Sequence, residues 1–240
     1  IWDEDKIYPN KHKMEYVDED TNEKANVYFF HEENSLLKAF LKLWKKLNPS
    51  TVVTWNGDGF DIPYTFNRLN NTLGVEYATQ LSPIGIVESK SYTDEETGEA
   101  TNTIVIAGIS SMDYMKLYKK YTIQLKGKQE SYKLGDVSLN KVNLGKIEYD
   151  GSLNSLFKND LPTFIKYNIR DVVIMVELDK KLKFIDLTRN LCHKGRIKYE
   201  DIYFPSRVHE GYALCLLRKE GIVCINKPIN QQRKEGSNFV

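Results

Sequence analysis

The chain has 240 residues, with 34 Lys and Arg against 33 Asp and Glu, and its formal net charge is +1. This length is enough for one large domain, or for one domain with a tail, and for a buried core. The balanced charge excludes a global field that would attract a polyanion, so any contact with nucleic acid has to be local. Because no apolar run reaches the roughly 20 residues of a membrane span and no signal peptide is recognised, we expect no membrane partner.

The first part of the chain predicts the edge of a sheet followed by a helix. The polar residues 1–26 are typical of short strands and turns, and residues 25–30 predict a strand. Asn34 or Ser35 is expected to cap the helix, which should end before Pro49 because the residue preceding a proline disfavours helical angles. Its lysines are interpreted as a solvated face opposite an apolar stripe. The stripe consists of Leu36, Leu37, Phe40, Leu41, Trp44 and Leu47.

Residues 51–74 combine a strand, a turn with two glycines, an acid and a helix. A buried strand is predicted from Thr51 to Trp55, and an amphipathic helix follows Asp61 and is closed by Gly74. Gly57 and Gly59 would let the backbone pass close to a ligand. A carboxylate at a strand-to-helix turn lies where an α/β sheet presents chemistry to solvent. The spacing alone leaves open an ordinary turn in which Asp61 only caps the helix.

The sequence WNGDGFD at residues 55–61 is followed by Ile-Pro-Tyr and then by Asn67 and Arg68. This stretch resembles the second exonuclease motif of family B DNA polymerases, in the version found in T-even-type phages. The resemblance implies that Asp61 is a metal ligand of a 3′→5′ proofreading nuclease. It also implies that Asn56 and Phe60 belong to the surface that holds a frayed primer end.

Residues 86–109 predict two strands around the polar tip TDEETGEAT. A surface hairpin without a function and the family's hairpin that separates primer from template both remain open. Residues 117–120, LYKK, are similar to the phage enzymes, and Asp113 is interpreted as structural. Residues 131–139 resemble the short helix that the family places before its third exonuclease motif, and residues 146–160 are interpreted as a polar connection.

The second stretch with chemistry runs from Asp160 to Asn190. Asp160 is expected to cap a helix with Pro162 in its first turn and a broad apolar face. Tyr167 and Asp171 are four residues apart, so both project from the same face of this helix. The sequence YNIRD resembles the third exonuclease motif of the same family. By this resemblance Asp171 is a second metal ligand, and Tyr167 orients the attacking water.

Cleavage of a phosphodiester requires a hydroxide formed from water and stabilisation of the departing 3′ oxygen. Two Mg²⁺ ions about 3.5 to 4 Å apart provide both. Mg²⁺ prefers hard oxygen ligands, which carboxylates supply. By resemblance Asp61 and Asp171 are two of four acids that hold the two metal ions, and Mn²⁺ is expected to substitute for Mg²⁺.

One part of the family pattern is absent. The first exonuclease motif, Asp-x-Glu, lies upstream of the second in the family, but only DED occurs before Asp61, at residues 3–5 and 18–20. The triplet Asp94-Glu95-Glu96 belongs to the predicted hairpin tip. We expect that the chain begins after the strand that carries this motif. Half of the ligand set is then missing, so the fragment itself should be a weak or inactive nuclease.

The last 50 residues differ from the rest. Residues 207–221 predict a helix with Ala213, Leu214 and Leu217 inward, followed by a linker-like terminus without polymerase motifs. The odd number of cysteines, at positions 192, 215 and 224, predicts free thiols in a reducing compartment.

Together these features predict a ribonuclease H-like α/β exonuclease fold, with a mixed β-sheet flanked by helices and an inserted hairpin. We assign residues 1–190 to this domain and residues 191–240 to a helical extension and linker. The expected partners are the single-stranded 3′ end of primer DNA and the rest of the polymerase chain, with a sliding clamp as a further candidate. The expected location is the cytoplasm, that of the host cell if the protein is viral. A stand-alone exonuclease and a non-catalytic module that binds single-stranded DNA are the alternatives.

Overall fold

The strands lie in the first half of the chain and helices predominate in the second half. The computed structural model describes residues 1, 3, 6, 8–93, 100–127 and 129–224. The chain divides into two units, residues 1–188 and residues 189–240. The strands are β1 Lys13–Val17, β2 Lys24–Tyr28, β3 Thr51–Thr54, β4 Val87–Thr93, β5 Ala100–Ile106 and β6 Ser110–Asp113. The helices are α1 Glu33–Leu47, α2 Asp61–Leu73, α3 Val75–Ala78, α4 Tyr114–Lys126, α5 Leu134–Val142, α6 Leu153–Asn159, α7 Leu161–Leu182, α8 Phe184–Gly195 and α9 Pro205–Lys219.

The strands pair as three two-stranded sheets. β1 and β2 are antiparallel, β4 and β5 are antiparallel, and β3 runs parallel to β6. The predicted α/β class is confirmed, but the described residues do not form the single mixed sheet that we expected. β3 was predicted to be buried and is only half-buried at all its positions, because in the described part of the chain it has a neighbour on one edge alone.

Helix α1 carries the predicted apolar stripe. Leu37 and Leu41 are buried in a core that also contains Ile62 and Leu69 of α2, whereas Leu47 is 67% exposed. The helix ends at Leu47 as predicted, with the next residue in the left-handed region. The predicted cap is wrong, since Asn34 and Ser35 lie inside the helix and the position before it is Glu32, whose side chain makes no capping bond.

Helix α2 matches its prediction. It begins at Asp61, carries Pro63 in its first turn and is followed by Gly74. Gly74 has a φ of 97°, a conformation that residues with a β-carbon rarely adopt, and its N–H donates to the carbonyl of Asn70. Arg68 of α2 forms an ion pair with Glu33 of α1, which ties the two helices together.

The segment after α2 contains the predicted hairpin. Val87 of β4 pairs with Ile106 of β5, and the register continues to the end of both strands. Residues 94–99 of the predicted tip, with Asp94-Glu95-Glu96, lie outside the described residues, as does the linker-like terminus. Residues 146–160 are not only a connection, because they include α6. Ser152 caps this helix by accepting a hydrogen bond from the N–H of Ser155 at 3.1 Å, and Leu156 is buried.

Helix α7 begins as predicted. The Asp160 carboxylate accepts a hydrogen bond from the N–H of Thr163 at 3.1 Å, and Pro162 lies in the first turn. Ile165 and Val173 of its apolar face are buried, but Val172 is 65% exposed. This exposed part belongs to an apolar groove of about 1210 Å³ that is lined by β2, α1 and α7.

A buried ion pair joins the β1–β2 hairpin to α7. Asp18 is 0% exposed, and one of its carboxylate oxygens accepts a hydrogen bond from Nε of Arg170 at 2.8 Å. Its other oxygen accepts from the N–H of Thr21, which closes the turn between the strands. Burial raises the pKa of Asp18, but the hydrogen bonds and charge of Arg170 and the bonds from Thr21 outweigh it, so the pKa is lowered overall.

In the second unit, the C-terminal turn of α8 is followed by a 3-10 turn, Tyr199–Tyr203, and by α9. The predicted inward face of α9 is partly wrong: Ala213 and Leu214 are exposed, while Tyr212 and Cys215 are partly buried. Helical spacing identifies an apolar side, but the described part of this unit does not provide a layer that covers it. None of the helices described is long and apolar enough to cross a membrane.

We predict that Asp18→Ala lowers the free energy of unfolding by about 3 to 5 kcal/mol, because it leaves the buried guanidinium of Arg170 without its partner. Asp20 also pairs with Arg170 but is exposed, so Asp20→Ala is the matched control and should cost less than about 1 kcal/mol. Urea unfolding at pH 7 measures both. Equal effects of the two variants would contradict the prediction.

The same ion pair predicts a pH dependence. The folded state lowers the pKa of Asp18, so its contribution is fully present above the unfolded pKa of about 3.9 and disappears as the pH falls through the folded value. The difference in stability between the wild type and Asp18→Ala should therefore shrink below about pH 4.

Candidate active site

The parallel pairing of β3 with β6 brings the carboxyl ends of two strands together. Thr54 at the end of β3 lies opposite Asp113 at the end of β6. The carboxylate of Asp113 accepts hydrogen bonds from the N–H of Asn56 at 3.3 Å and from the N–H of Lys116 at 3.2 Å. Asp113 is fully buried, and its burial raises its pKa. It therefore caps α4 and fixes the turn after β3, which is the structural role that we predicted.

The turn after β3 requires a glycine at position 57. A β-carbon there would lie 1.7 Å from Oγ1 of Thr54, which no rearrangement of a few tenths of an ångström relieves. The contact with Thr54 inside the protein thus explains the glycine at position 57, whereas from the sequence we expected it to allow the close approach of a ligand. Asn56 adopts a φ of 66°, a conformation that asparagine tolerates better than most residues. These two positions turn the chain sharply toward α2.

Most of the predicted site residues line a cleft of about 1080 Å³. Asp61 and Asp171, which are distant in the sequence, both line it, together with Asn56 and Phe60. Tyr167 lies beside the cleft on the same helix as Asp171, one turn earlier. The sequence thus identified residues that the fold brings together, two of them on the turn after β3, one at the start of α2 and two on α7.

Asp61 is the first residue of α2, where the unpaired N–H groups and the helix dipole favour a negative charge. Burial raises its pKa. Among the described residues no cation lies within ion-pair distance of its carboxylate. Phe60, the preceding residue, is 62% exposed and its ring stacks on that of Tyr64 at a centroid distance of 5.6 Å.

Lys146 is the site residue that sequence reasoning missed. Its ammonium donates to Oδ2 of Asp171 at 2.9 Å and to the hydroxyl of Tyr167 at 3.2 Å. It also lies 5.2 Å from the centroid of the Tyr167 ring. Burial lowers the pKa of Lys146, but the bonds to Asp171 and Tyr167 outweigh it and raise the pKa overall. Lys146 precedes α6 in an irregular segment, so no periodicity or motif marked it.

Asp171 has one oxygen that is bonded and one that is not. Oδ1 is buried and has no hydrogen-bond partner in the described structure. A buried carboxylate oxygen without a partner is unfavourable unless a proton or a cation satisfies it. The described residues contain no group of three or more His, Cys, Asp or Glu side chains that could hold a metal ion. Oδ1 of Asp171 is thus the oxygen of this carboxylate that remains available to a proton or a cation.

Aromatic and basic side chains complete the cleft. Trp55, Phe60 and Tyr132 line it, and so do Lys133 and Lys146. Exposed aromatic rings are surfaces on which unpaired bases stack, and lysines next to them attract phosphates. The cleft thus combines carboxylates, aromatic rings and lysines.

Comparison with protein families gives an independent result. Residues 5–137, more than half of the chain, match the family model described as DNA polymerase family B, exonuclease domain. This chain belongs to that family. Asn56, Phe60 and Asp61 lie inside the matched part of this exonuclease domain, whereas Tyr167 and Asp171 lie beyond it.

Individual relatives agree with the family. The chain is 32% identical over 85% of its length to a DNA-directed DNA polymerase of Escherichia phage RB69, and 30% identical over 80% of its length to one of Enterobacteria phage T4. It is 27% identical over 69% of its length to DNA polymerase 1 of Sulfolobus acidocaldarius. These matches cover 22%, 21% and 17% of the relatives, so the chain spans about one fifth of their length.

We predict that Lys146→Met strengthens binding of Mn²⁺ to the cleft, because the ammonium competes with the metal for Asp171. Removal of a unit charge at contact distance should raise the affinity roughly tenfold or more. Lys133→Met is the matched control, since it removes the same charge from the same cleft without touching Asp171. Calorimetric titration measures both variants. Equal or weaker binding by Lys146→Met would contradict the prediction.

Proposed function

We propose that this chain forms the proofreading part of a family B DNA polymerase and removes mispaired nucleotides from the 3′ end of a primer by metal-assisted hydrolysis. The observation that carries the proposal is the presence of Asp61 and Asp171 in one cleft, with Tyr167 beside them. The rest of the polymerase chain is the expected partner, and nucleotide addition would be its activity. A sliding clamp is a further candidate partner.

Each residue has a role in this proposal. Asp61 and Asp171 would hold the metal ions, and the unsatisfied Oδ1 of Asp171 supports this assignment. Bound Mg²⁺, or Mn²⁺ in its place, would activate water and stabilise the departing oxygen. Tyr167 would orient the water through its hydroxyl, which Lys146 holds in position. The hydrolysis needs no covalent protein intermediate.

The substrate would be a frayed single strand that enters the cleft with its 3′ end. Phe60 is exposed and supported by Tyr64, which suits it to stack against a base. Asn56 lies on the same turn, where its amide can donate to the strand. The β4–β5 hairpin would separate the primer from its template during this transfer.

We also assign this domain to the ribonuclease H-like fold. The parallel β3–β6 pair, with α2 between its strands in the chain and α7 contributing the last acid, supports this assignment. The other strands of such a sheet are not found among the described residues. The cytoplasm of an infected cell would be the place of action if the protein is viral.

A second candidate function is a non-catalytic module that binds single-stranded DNA. The ion pair between Lys146 and Asp171 favours it, because Lys146 already neutralises the carboxylate without a metal ion. A stand-alone exonuclease is a third candidate function. The relatives support it less well, since those of the two phages and of Sulfolobus acidocaldarius are all named as polymerases.

We predict slow release of nucleotides from a single-stranded oligonucleotide with Mg²⁺ or Mn²⁺, since these residues supply only part of the ligand set. Asp171→Ala should abolish the release. Asp136 lines the same cleft but is bonded to Ser131, so Asp136→Ala is the control and should leave the rate unchanged. Release that survives Asp171→Ala would contradict the proposed site. Fast release that depends on Asp171 would support the nuclease and contradict only its expected weakness.

Metal binding is predicted independently of turnover. Mn²⁺ should bind saturably to the wild type and not to Asp61→Ala/Asp171→Ala, as measured by calorimetric titration. The control is Glu130→Ala/Asp136→Ala, which removes the same charge from the same cleft. If the two double variants bind Mn²⁺ equally, Asp61 and Asp171 are not its ligands.

A further inference from the structure

The two units of the chain carry opposite charge. Residues 189–240 contain ten Lys and Arg against five Asp and Glu, which gives a formal charge of +5. Residues 1–188 contain 24 against 28 and have a charge of −4. The net charge of the whole chain is close to zero although its second unit is basic. A ligand that binds the second unit would therefore encounter a positive charge that the net charge of the chain does not indicate.

The basic side chains of the second unit converge on a recess of about 660 Å³. It lies between the last turn of α8 and the C-terminal half of α9. Among the described residues no carboxylate lines it, and four of its eight lining residues are Lys or Arg. Its lining includes His193, Lys194, Arg196, Tyr212, Arg218 and Lys219.

A second recess of about 640 Å³ adjoins the first and shares Arg196 and Arg218 with it. It adds Lys198, and it also contains Asp201 and Glu210. The negative charge of Asp201 is neutralised within the recess by its ion pair with Arg207. We call Lys194, Arg196, Lys198, Arg218 and Lys219 the basic strip.

The backbone under the basic strip is held in place. A β-carbon on Gly211 of α9 would lie 2.5 Å from the carbonyl oxygen of Gly195, so the two segments are in contact. Arg196 adopts a φ of 51°, and the N–H of Ile197 donates to the carbonyl of Cys192 at 3.1 Å. These contacts fix the backbone from which the Arg196 side chain projects, which reduces the entropy lost on binding.

The helix dipole alone explains the presence of some residues of the basic strip. Basic residues in the last turn of a helix offset its dipole, which accounts for Lys194, Arg218 and Lys219. It does not account for Arg196 and Lys198, which follow the end of α8. None of the five forms an ion pair with another described residue.

We propose that the basic strip binds the phosphodiester backbone of duplex DNA, as a contact separate from the nuclease cleft. Cations that are exposed, unpaired and ordered along two adjoining recesses suit successive phosphates better than a single anion. Each phosphate contact releases condensed counterions, and duplex DNA carries a higher density of these counterions than single-stranded DNA does. The choice of DNA among polyanions rests on the proposed function of the first unit.

The test measures binding of a fully paired, fluorescently labelled DNA duplex by anisotropy, in EDTA and over a range of salt. A paired duplex without metal gives the cleft no frayed end, so the strip is measured alone. Arg196→Ala/Lys219→Ala is compared with Lys46→Ala/Lys158→Ala, which removes two exposed charges from the first unit. The strip variant should bind roughly tenfold or more weakly at low salt. Its slope of log affinity against log salt should decrease by about two.

Asp61→Ala/Asp171→Ala should bind the duplex like the wild type, so failure of the nuclease and failure of the strip give different results. As a second measurement, Cys215 lies between the two recesses, and DNA should slow its alkylation in a Cys224→Ser background. Equal salt slopes for the two double variants, no duplex binding at low salt, or unchanged alkylation of Cys215 would each overturn the proposal.

Discussion

The pairing of β3 with β6 is the constraint on which the candidate site depends. It is a pair between distant segments, and the buried carboxylate of Asp113 reinforces it by binding the N–H groups of Asn56 and Lys116. This bond anchors the start of the turn after β3, and the ion pair between Asp58 and Lys116 holds its middle. The directions of Phe60 and Asp61 follow from that turn, because both belong to its exit into α2. The carboxylate of Asp113, to which we assign a structural role, therefore helps to position Asp61, to which we assign chemistry.

The features that the sequence predicted well are determined by few neighbouring residues. The end of α2 at Gly74 and the start of α7 at Asp160 follow from backbone angles and from one capping bond. The prediction that Asp61 and Asp171 lie in one site had a different basis, because it came from resemblance to two family motifs and not from the spacing of the two residues. Both succeeded because the information lay in a short stretch of chain or in a family pattern.

The features that the sequence missed depend on distant segments. Lys146 gains its role only when α7 places Asp171 and Tyr167 beside it, and nothing in its own irregular segment signals this. The inward face of α9 was misassigned because burial depends on what covers a helix, which periodicity cannot report. The predicted mixed sheet is seen among the described residues only as separate pairs of strands, and hydrophobic patterns could not have indicated this, since they identify strands but not their partners.

The ion pair between Asp18 and Arg170 has a consequence for the distant cleft. Arg170 immediately precedes Asp171, and successive side chains on a helix point about 100° apart. Because the buried carboxylate of Asp18 binds Arg170, it restrains the rotation of α7 about its own axis, together with the buried apolar residues Ile165, Ile174 and Leu178 of the same helix. Asp171 therefore faces the cleft partly as a result of contacts on other sides of the helix. The β1–β2 hairpin thus contributes to the orientation of this acid, although no described residue of the hairpin lines the cleft.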